Sequence, residues 1–390
     1  MARGRPEWKK KYDGETIASA IFNGLEGASP RLTAGLKYHA RLAPPAAPLF
    51  QSIETHALKI ASPPYRDIYE TVRLAQADLT DRTKDPFHAI ASTWLFANPK
   101  VLGHTVRMID RTTGALVSTE EGSRMRWSRA YAFPLPQRRV PCGPVVANIP
   151  ASENNYYHLV INTLLPFAHA VLRHRAKLKG RRISLAVRKA PSVILRVVDA
   201  LRACGIDIEI VQLKPTECME AEAGFHATLV HPSLHPNHGH WSGAAGEELI
   251  EALDRVVPAL QTPARVHIPR TDTTVRRILN NDDYQTCIDA NGLAPMVARW
   301  DNFDLQYRTF RQAREIVGVH GAGLANLCWT RPGTRVTEIT PTDARRSPFL
   351  QIGAERGADF RFFFAGREQK KQNFDIDTVA LGAHLESDNV

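Results

Sequence analysis

The chain has 390 residues, 43% of them hydrophobic and 23% charged, with 50 Lys and Arg against 40 Asp and Glu. That length exceeds one compact core and predicts about two domains plus an extension, while the formal charge of +10 suits an anionic partner: nucleic acid, an anionic membrane face or a phosphorylated substrate. Five scattered cysteines without a CxxC pair exclude a disulfide framework. The absence of an apolar leader, or of a run approaching about 18 apolar residues, predicts a cytoplasmic protein without a membrane span.

In chain order, residues 1–95 read as a helical extension interrupted by Pro44-Pro45 and Pro63-Pro64, with helical patterning from Glu15 to Leu25 and from Arg66 to Leu79. A hairpin pair follows, His104 to Asp110 and Ala115 to Thr119, and a proline-rich connector leads to a strand at Val145 to Ile149. Strands and helices then alternate. Ser152 is placed to cap a helix running to about Lys177, kinked or restarted at Pro166. Next come a strand at Ile183 to Val187, a helix opened by Pro191, strands at Ile208 to Leu213 and Ala227 to Val230, and a helix from Glu247 to Val257.

A second block starts with a strand at Arg265 to Ile268. It continues through a helix from Asp282 to Ala290, a strand at Pro295 to Arg299 and a helix from Leu305 to Glu315. A buried-type strand, Ile316 to Val319, breaks at His320-Gly321-Ala322-Gly323. A brief apolar helix runs on to Trp329, then a strand from Arg335 to Ile339, a helix near Phe349 to Arg356 and a strand at Phe360 to Phe364. Such alternation marks βαβ units and parallel sheets. The predicted fold is α/β, GT-B-like, with two Rossmann-like doubly wound domains (residues 96–260 and 261–390) facing a cleft behind an N-terminal helical extension (residues 1–95).

Strand, glycine turn and helix N-terminus is how an open parallel sheet holds phosphate, because backbone N–H groups converge on the anion and glycines let it approach. The turn here lacks the third glycine of the dinucleotide fingerprint, with Asn326 in its place, and Glu338 follows closer than a ribose-binding acid would. A plain βα turn is the alternative. His320, however, stands where a side chain enters the crevice at the carboxyl ends of strands. Arg270 ends a predicted strand, and Arg276 and Arg277 follow one loop later, ahead of Asn280, a candidate helix N-cap. Guanidinium forks match phosphate oxygens and keep their charge, so this loop is read as a phosphate grip rather than as a solvated charge run.

His158 and Asn162 stand four apart and share a helix face, beside a core stripe of Tyr157, Ile161 and Leu165. An imidazole there could take a proton from an attacking hydroxyl; a core histidine bonded to backbone is the alternative. The run His226, His231, His235, His238 and His240 has neither HExxH nor CxxC spacing and is expected to be a solvent loop, not a metal site. There is no GxxxxGK[ST] loop, GxSxG elbow or DxD-type pair.

Together, Asn154 to Pro166 (NNYYHLVINTLLP), Ile268 to Asp282 (IPRTDTTVRRILNND) and Val317 to Ile339 (VGVHGAGLANLCWTRPGTRVTEI) resemble glycosyltransferase family 61, inverting sugar-nucleotide enzymes of GT-B-like architecture. The resemblance implies a UDP-sugar donor held by the C-terminal domain and a saccharide, glycolipid or surface-polysaccharide acceptor entering from the N-terminal one. It places Arg270 and Arg276 or Arg277 on the diphosphate, His320, Gly321, Ala322 and Gly323 at the donor turn, and Glu338 near the nucleoside. It implies no metal or other cofactor, no nucleic acid, and a location in the cytoplasm compatible with peripheral contact at the inner membrane face. Family members often carry an acid where this chain has Asn162 and a tryptophan where it has Leu159. Loss of that acid keeps a non-catalytic sugar-nucleotide sensor or scaffold as the alternative. A nucleic-acid-binding protein is the weaker rival, because aromatics are not interleaved with the basic residues.

Overall fold

The computed structural model describes residues 42–43, 48–57, 88–103, 106–111, 116–117, 138–149, 155–230, 244–270, 275–341 and 348–386. The N-terminal lobe is built on a six-stranded sheet. Its strands are β1 (Pro48–Ala57), β2 (His88–Ala97), β3 (Val145–Asn148), β4 (Ile183–Val187), β5 (Ile208–Gln212) and β6 (Ala223–Val230), in the spatial order β5-β4-β3-β6-β2-β1. The four strands from β5 to β6 in that order run parallel, and β2 and β1 add on antiparallel. Around it lie α1 (Leu165–Arg173), α2 (Ser192–Ala203) and α3 (Ala244–Val256). A small sheet that includes Pro99–Leu102, Arg107–Asp110 and Glu217–Glu220 sits beside this lobe.

The C-terminal lobe follows β7 (Arg265–Ile268), α4 (Asn281–Ala290), β8 (Ala294–Pro295), α5 (Phe303–Gln312), β9 (Glu315–Val319), a 3₁₀ helix (Ala322–Trp329), β10 (Arg335–Pro341), α6 (Pro348–Glu355), β11 (Asp359–Ala365) and α7 (Thr378–Glu386). Its five strands are all parallel, in the order β8-β7-β9-β10-β11. Every residue of β4 and of β9 is buried, as parallel strands covered on both faces require. The chain leaves β7 for β8 on one side and then returns to place β9 on the other. The strand order therefore reverses at β7, which opens a crevice at the carboxyl ends of β7 and β9.

The fold is thus α/β with parallel sheets, as expected, but the lobes are not separate bodies. One apolar core passes from Val145 and Leu185 through Val197 and Phe303 to Ile316 and Trp329. α2 supplies Val193, Ile194, Val197, Val198 and Leu201 from one face, the 3.6-residue stripe of an amphipathic helix. Polar bonds cross the same boundary. Arg196 grips Asp304 through two bonds of 2.7 and 2.6 Å, and the Asp254 carboxylate accepts from Tyr307, Arg308 and Arg311.

Several expected elements change. Where described, the predicted helical extension is extended chain: β1 and β2 pair along their length, and β2 pairs in turn with β6. The lobe therefore begins before residue 96, because two ten-residue strands complete its sheet. The helices expected over Glu15 to Leu25 and Arg66 to Leu79 lie outside the described residues. The strand expected from Pro295 to Arg299 shrinks to Ala294–Pro295, and Glu315, expected to end a helix, opens β9 and is ion-paired with Arg265. The kink expected at Pro166 is present as a π-helical turn, His158–Leu164, in which the Leu165 N–H reaches back to the Val160 carbonyl. Proline has no N–H to continue the α-helical ladder at this point, and the wider register absorbs the gap.

Candidate functional site

The β7–β9 crevice gathers the arginine loop and the glycine turn. Arg270, two residues past the end of β7, donates from Nη1 to the His320 carbonyl at 3.1 Å. Arg276 donates to the same oxygen at 3.2 Å. Two guanidinium groups thus converge on one backbone atom at the point where the strand order reverses. Gly321 makes room for them, since a Cβ there would lie 1.7 Å from Arg270 Nη1. A Cβ on Gly323 would lie 3.0 Å from Ile268 Cγ2, so the turn also packs closely onto β7. From Ala322 the chain continues as a 3₁₀ helix.

Arg276 has a φ of 57°, the left-handed region that a bulky side chain rarely adopts. Its conformation is held by the C-terminal segment. The Arg276 N–H bonds Lys371 O at 3.0 Å, Phe374 N–H bonds Arg277 O at 3.1 Å, and Leu279 N–H bonds Phe374 O at 2.9 Å. The sequence offered no signal for this support. Arg277 is exposed, its backbone N–H is occupied by Asn373 Oδ1, and the next residue, Ile278, bridges to Phe374.

His320 Nδ1 is hydrogen-bonded to Glu338 Oε1. Glu338, expected near the nucleoside, is fully buried, and its carboxylate backs the imidazole. With Nδ1 so engaged, Nε2 is the nitrogen left for a ligand. The His320 ring also packs edge-on against Phe349 at 5.1 Å. Phe349 meets Tyr157 at 5.6 Å, and Tyr157 meets His158 at 5.5 Å. A line of ring contacts therefore joins the predicted catalytic residue of one lobe to the glycine turn of the other.

His158 and Asn162 do share a face, with His158 Nδ1 3.3 Å from Asn162 Oδ1. An amide oxygen at that position accepts Nδ1–H and leaves Nε2 basic, the arrangement in which asparagine orients a catalytic histidine. Asn326 and Asn280 are structural instead. Asn326 is fully buried; its Oδ1 accepts from Tyr156 OH (2.7 Å) and Trp329 Nε1 (3.2 Å), and its Nδ2 donates to Gln306 Oε1 (2.9 Å) and Gly323 O (3.1 Å). These bonds use its full capacity and leave nothing for a donor. Asn280 makes no cap bond; its amide pairs with both the N–H and the carbonyl of Ile376.

Across the boundary between lobes lies a cleft of about 750 Å³ that sequence reasoning missed. Its walls include Arg188, Lys189, Gln212, Trp300 and Asp301, from the carboxyl ends of β4 and β5 and from the loop before α5. Only tertiary packing brings these segments together. All five cysteines are free, and burial pushes each thiol above its ordinary pKa. Residues 231–243, with most of the histidine run, lie outside the described residues. Among the described residues no helix is long and apolar enough to cross a membrane.

Convergent guanidinium groups and an oriented imidazole at a strand-order reversal can bind a diphosphate and stabilise charge that develops on it. A crystal structure of TibC, described as a dodecameric iron-containing heptosyltransferase in complex with ADP-D-beta-D-heptose, aligns with 69% of this chain and 83% of its own at 11% identity and a TM-score of 0.28. That likeness is too slight to support any conclusion. No curated protein matches the chain. Residues 156–337 match the family model described as Glycosyltransferase 61. His158, Arg270 and His320 all fall inside that match, which spans just under half of the chain and makes this region similar to glycosyltransferase family 61.

Proposed function

We propose that the protein transfers a sugar, with inversion, from a nucleoside-diphosphate sugar (a UDP-sugar) to a hydroxyl of a saccharide, glycolipid or surface-polysaccharide acceptor. The observation that carries this reading is the convergence of Arg270 and Arg276 on the His320 carbonyl at the β7–β9 crevice. The diphosphate lies over the Gly321–Gly323 turn, held by the two guanidinium groups and by His320. His158, with Asn162 on Nδ1, takes the proton of the acceptor hydroxyl as its oxygen attacks the anomeric carbon. The bond to the diphosphate breaks on the opposite face. Charge gathering on the departing UDP is met by Arg270 and Arg276, groups already in place that need no reorganisation and do the work a divalent ion would otherwise do.

A thermal-shift panel of UDP-, GDP-, CMP- and dTDP-sugars tests the donor without knowledge of the acceptor. UDP-sugars should raise the melting temperature most, and Arg270→Ala should abolish that shift and donor turnover while the protein stays folded. Turnover at the wild-type rate in Arg270→Ala would refute the phosphate role. Donor binding with no turnover on any acceptor would instead identify a sugar-nucleotide sensor.

A further inference from the structure

The cleft between lobes is lined by residues of both, from Ile149 and Leu159 to Trp300 and Asp301. Its volume of about 750 Å³ is that of a small-molecule site. One wall is Trp300, a residue 39% exposed despite its size. Trp300 is nevertheless held in place. Its carbonyl accepts from Ser192 Oγ at 3.0 Å, and its ring stands edge-on to Tyr156 at 5.7 Å. Tyr156 is fixed in turn by its 2.7 Å bond to the buried Asn326. A flat apolar face, rigid and open to a cleft, is a platform for the C–H face of a sugar ring.

Two cations, Arg188 and Lys189, line the same cleft among mostly apolar neighbours. Arg188 and Lys189 follow β4 directly, with Lys189 exposed and Arg188 half-buried and bonded to the Gly103 carbonyl at 3.1 Å. α2 starts beyond them at Ser192, so its positive end adds to the two side-chain charges. The lining holds two cations against one acid, Asp301, which is itself ion-paired with Arg299 at 3.2 Å. Gln212, at the end of β5, offers amide bonds for hydroxyl groups.

We infer that this cleft binds the acceptor, and that the acceptor is a saccharide bearing an anionic group, a carboxylate or a phosphate. Its sugar ring lies on Trp300 and its anion faces Arg188 and Lys189. This rests on the glycosyl-transfer reading above and specifies its second substrate.

Two charged and neutral pairs test it on the full chain by titration calorimetry. One is a hyaluronan tetrasaccharide against its carboxyl-reduced form, and the other is maltotriose 6-phosphate against maltotriose. The charged member of at least one pair should bind roughly 10-fold tighter, and the pair that discriminates identifies the anion. Lys189→Glu should erase that preference, and Lys189→Arg should keep it. Trp300→Ala should weaken both members of the pair alike, and Trp300→Phe should restore part of the loss. Equal binding within both pairs, or a preference that survives an Arg188→Ala/Lys189→Ala double variant, would overturn the inference. UDP-sugar binding by the unmodified chain is titrated separately. Its absence defeats the glycosyl-transfer reading, whereas intact donor binding without charge preference defeats only the acceptor inference.

Discussion

The guanidinium of Arg270 lies where a side chain on Gly321 would lie: a Cβ built there would come within 1.7 Å of Nη1. Gly321 has an extended φ of 175°, so its need for glycine is one of space and not of backbone conformation. Gly321→Ala should push the end of a flexible arginine aside at small cost to the fold while it removes the bond to the His320 carbonyl. Losing one hydrogen bond to a charged group costs about 1.5–3 kcal/mol, or roughly 10- to 100-fold in transfer. Steady-state kinetics beside a thermal melt would check this. A large fall in melting temperature with unchanged kcat/KM per folded molecule would contradict it.

The Glu338 carboxylate is buried behind His320, so its effect on a ligand must pass through the imidazole. Glu338→Gln keeps the shape and an acceptor for Nδ1 but removes the charge. The fold should persist, because the amide fills the same volume and still accepts from Nδ1 of a neutral imidazole. Transfer should fall on the order of 10- to 100-fold, as when imidazoles at metal sites lose the carboxylates that orient them. An unchanged rate would make Glu338 a residue of the core alone.

Asn326 joins Tyr156 of one lobe to Gln306, Gly323 and Trp329 of the other. Asn326→Ala strips several buried partners at once and should cost roughly 3–5 kcal/mol, whereas Tyr156→Phe, which deletes one bond, should cost about 1 kcal/mol. Urea denaturation measures both. Comparable losses in the two variants would show that the bonds do not act as a unit.

His267, in β7, is 1% exposed, and neither ring nitrogen has a hydrogen-bond partner among the described residues. Burial pushes its pKa down to about 4, only partly offset by Asp289. The unfolded chain, with the ordinary value near 6.5, takes up the proton first. Stability therefore falls as the pH drops from about 6.5 to 4, by on the order of 3 kcal/mol from this one residue. Denaturation midpoints of His267→Leu should lack that fraction of the acid loss. Parallel pH curves for variant and wild type would rule it out.

The sequence by itself determined most of the C-terminal lobe. Strand, glycine turn and short helix are local patterns, and Ile316 to Trp329 and Arg265 to Ile268 fold as they read because each needs only near neighbours to bury its apolar run. The meeting of Arg270 and His320 at one crevice was legible for the same reason, since the carboxyl end of a parallel strand is where a crevice forms. Other features rest on contacts far apart in the chain, which no local pattern encodes. Tertiary structure alone turned Glu338 toward His320, used up Asn326 and Asn280 in buried bonds, and held Arg276 in a left-handed turn against Lys371. It also paired Pro48–Ala57 with His88–Ala97 inside the segment read as a helical extension, because a strand is stabilised by the partner beside it. Above all it brought Trp300 into one cleft with Arg188 and Lys189, residues more than a hundred positions apart, and so made a cleft from segments that are unremarkable on their own.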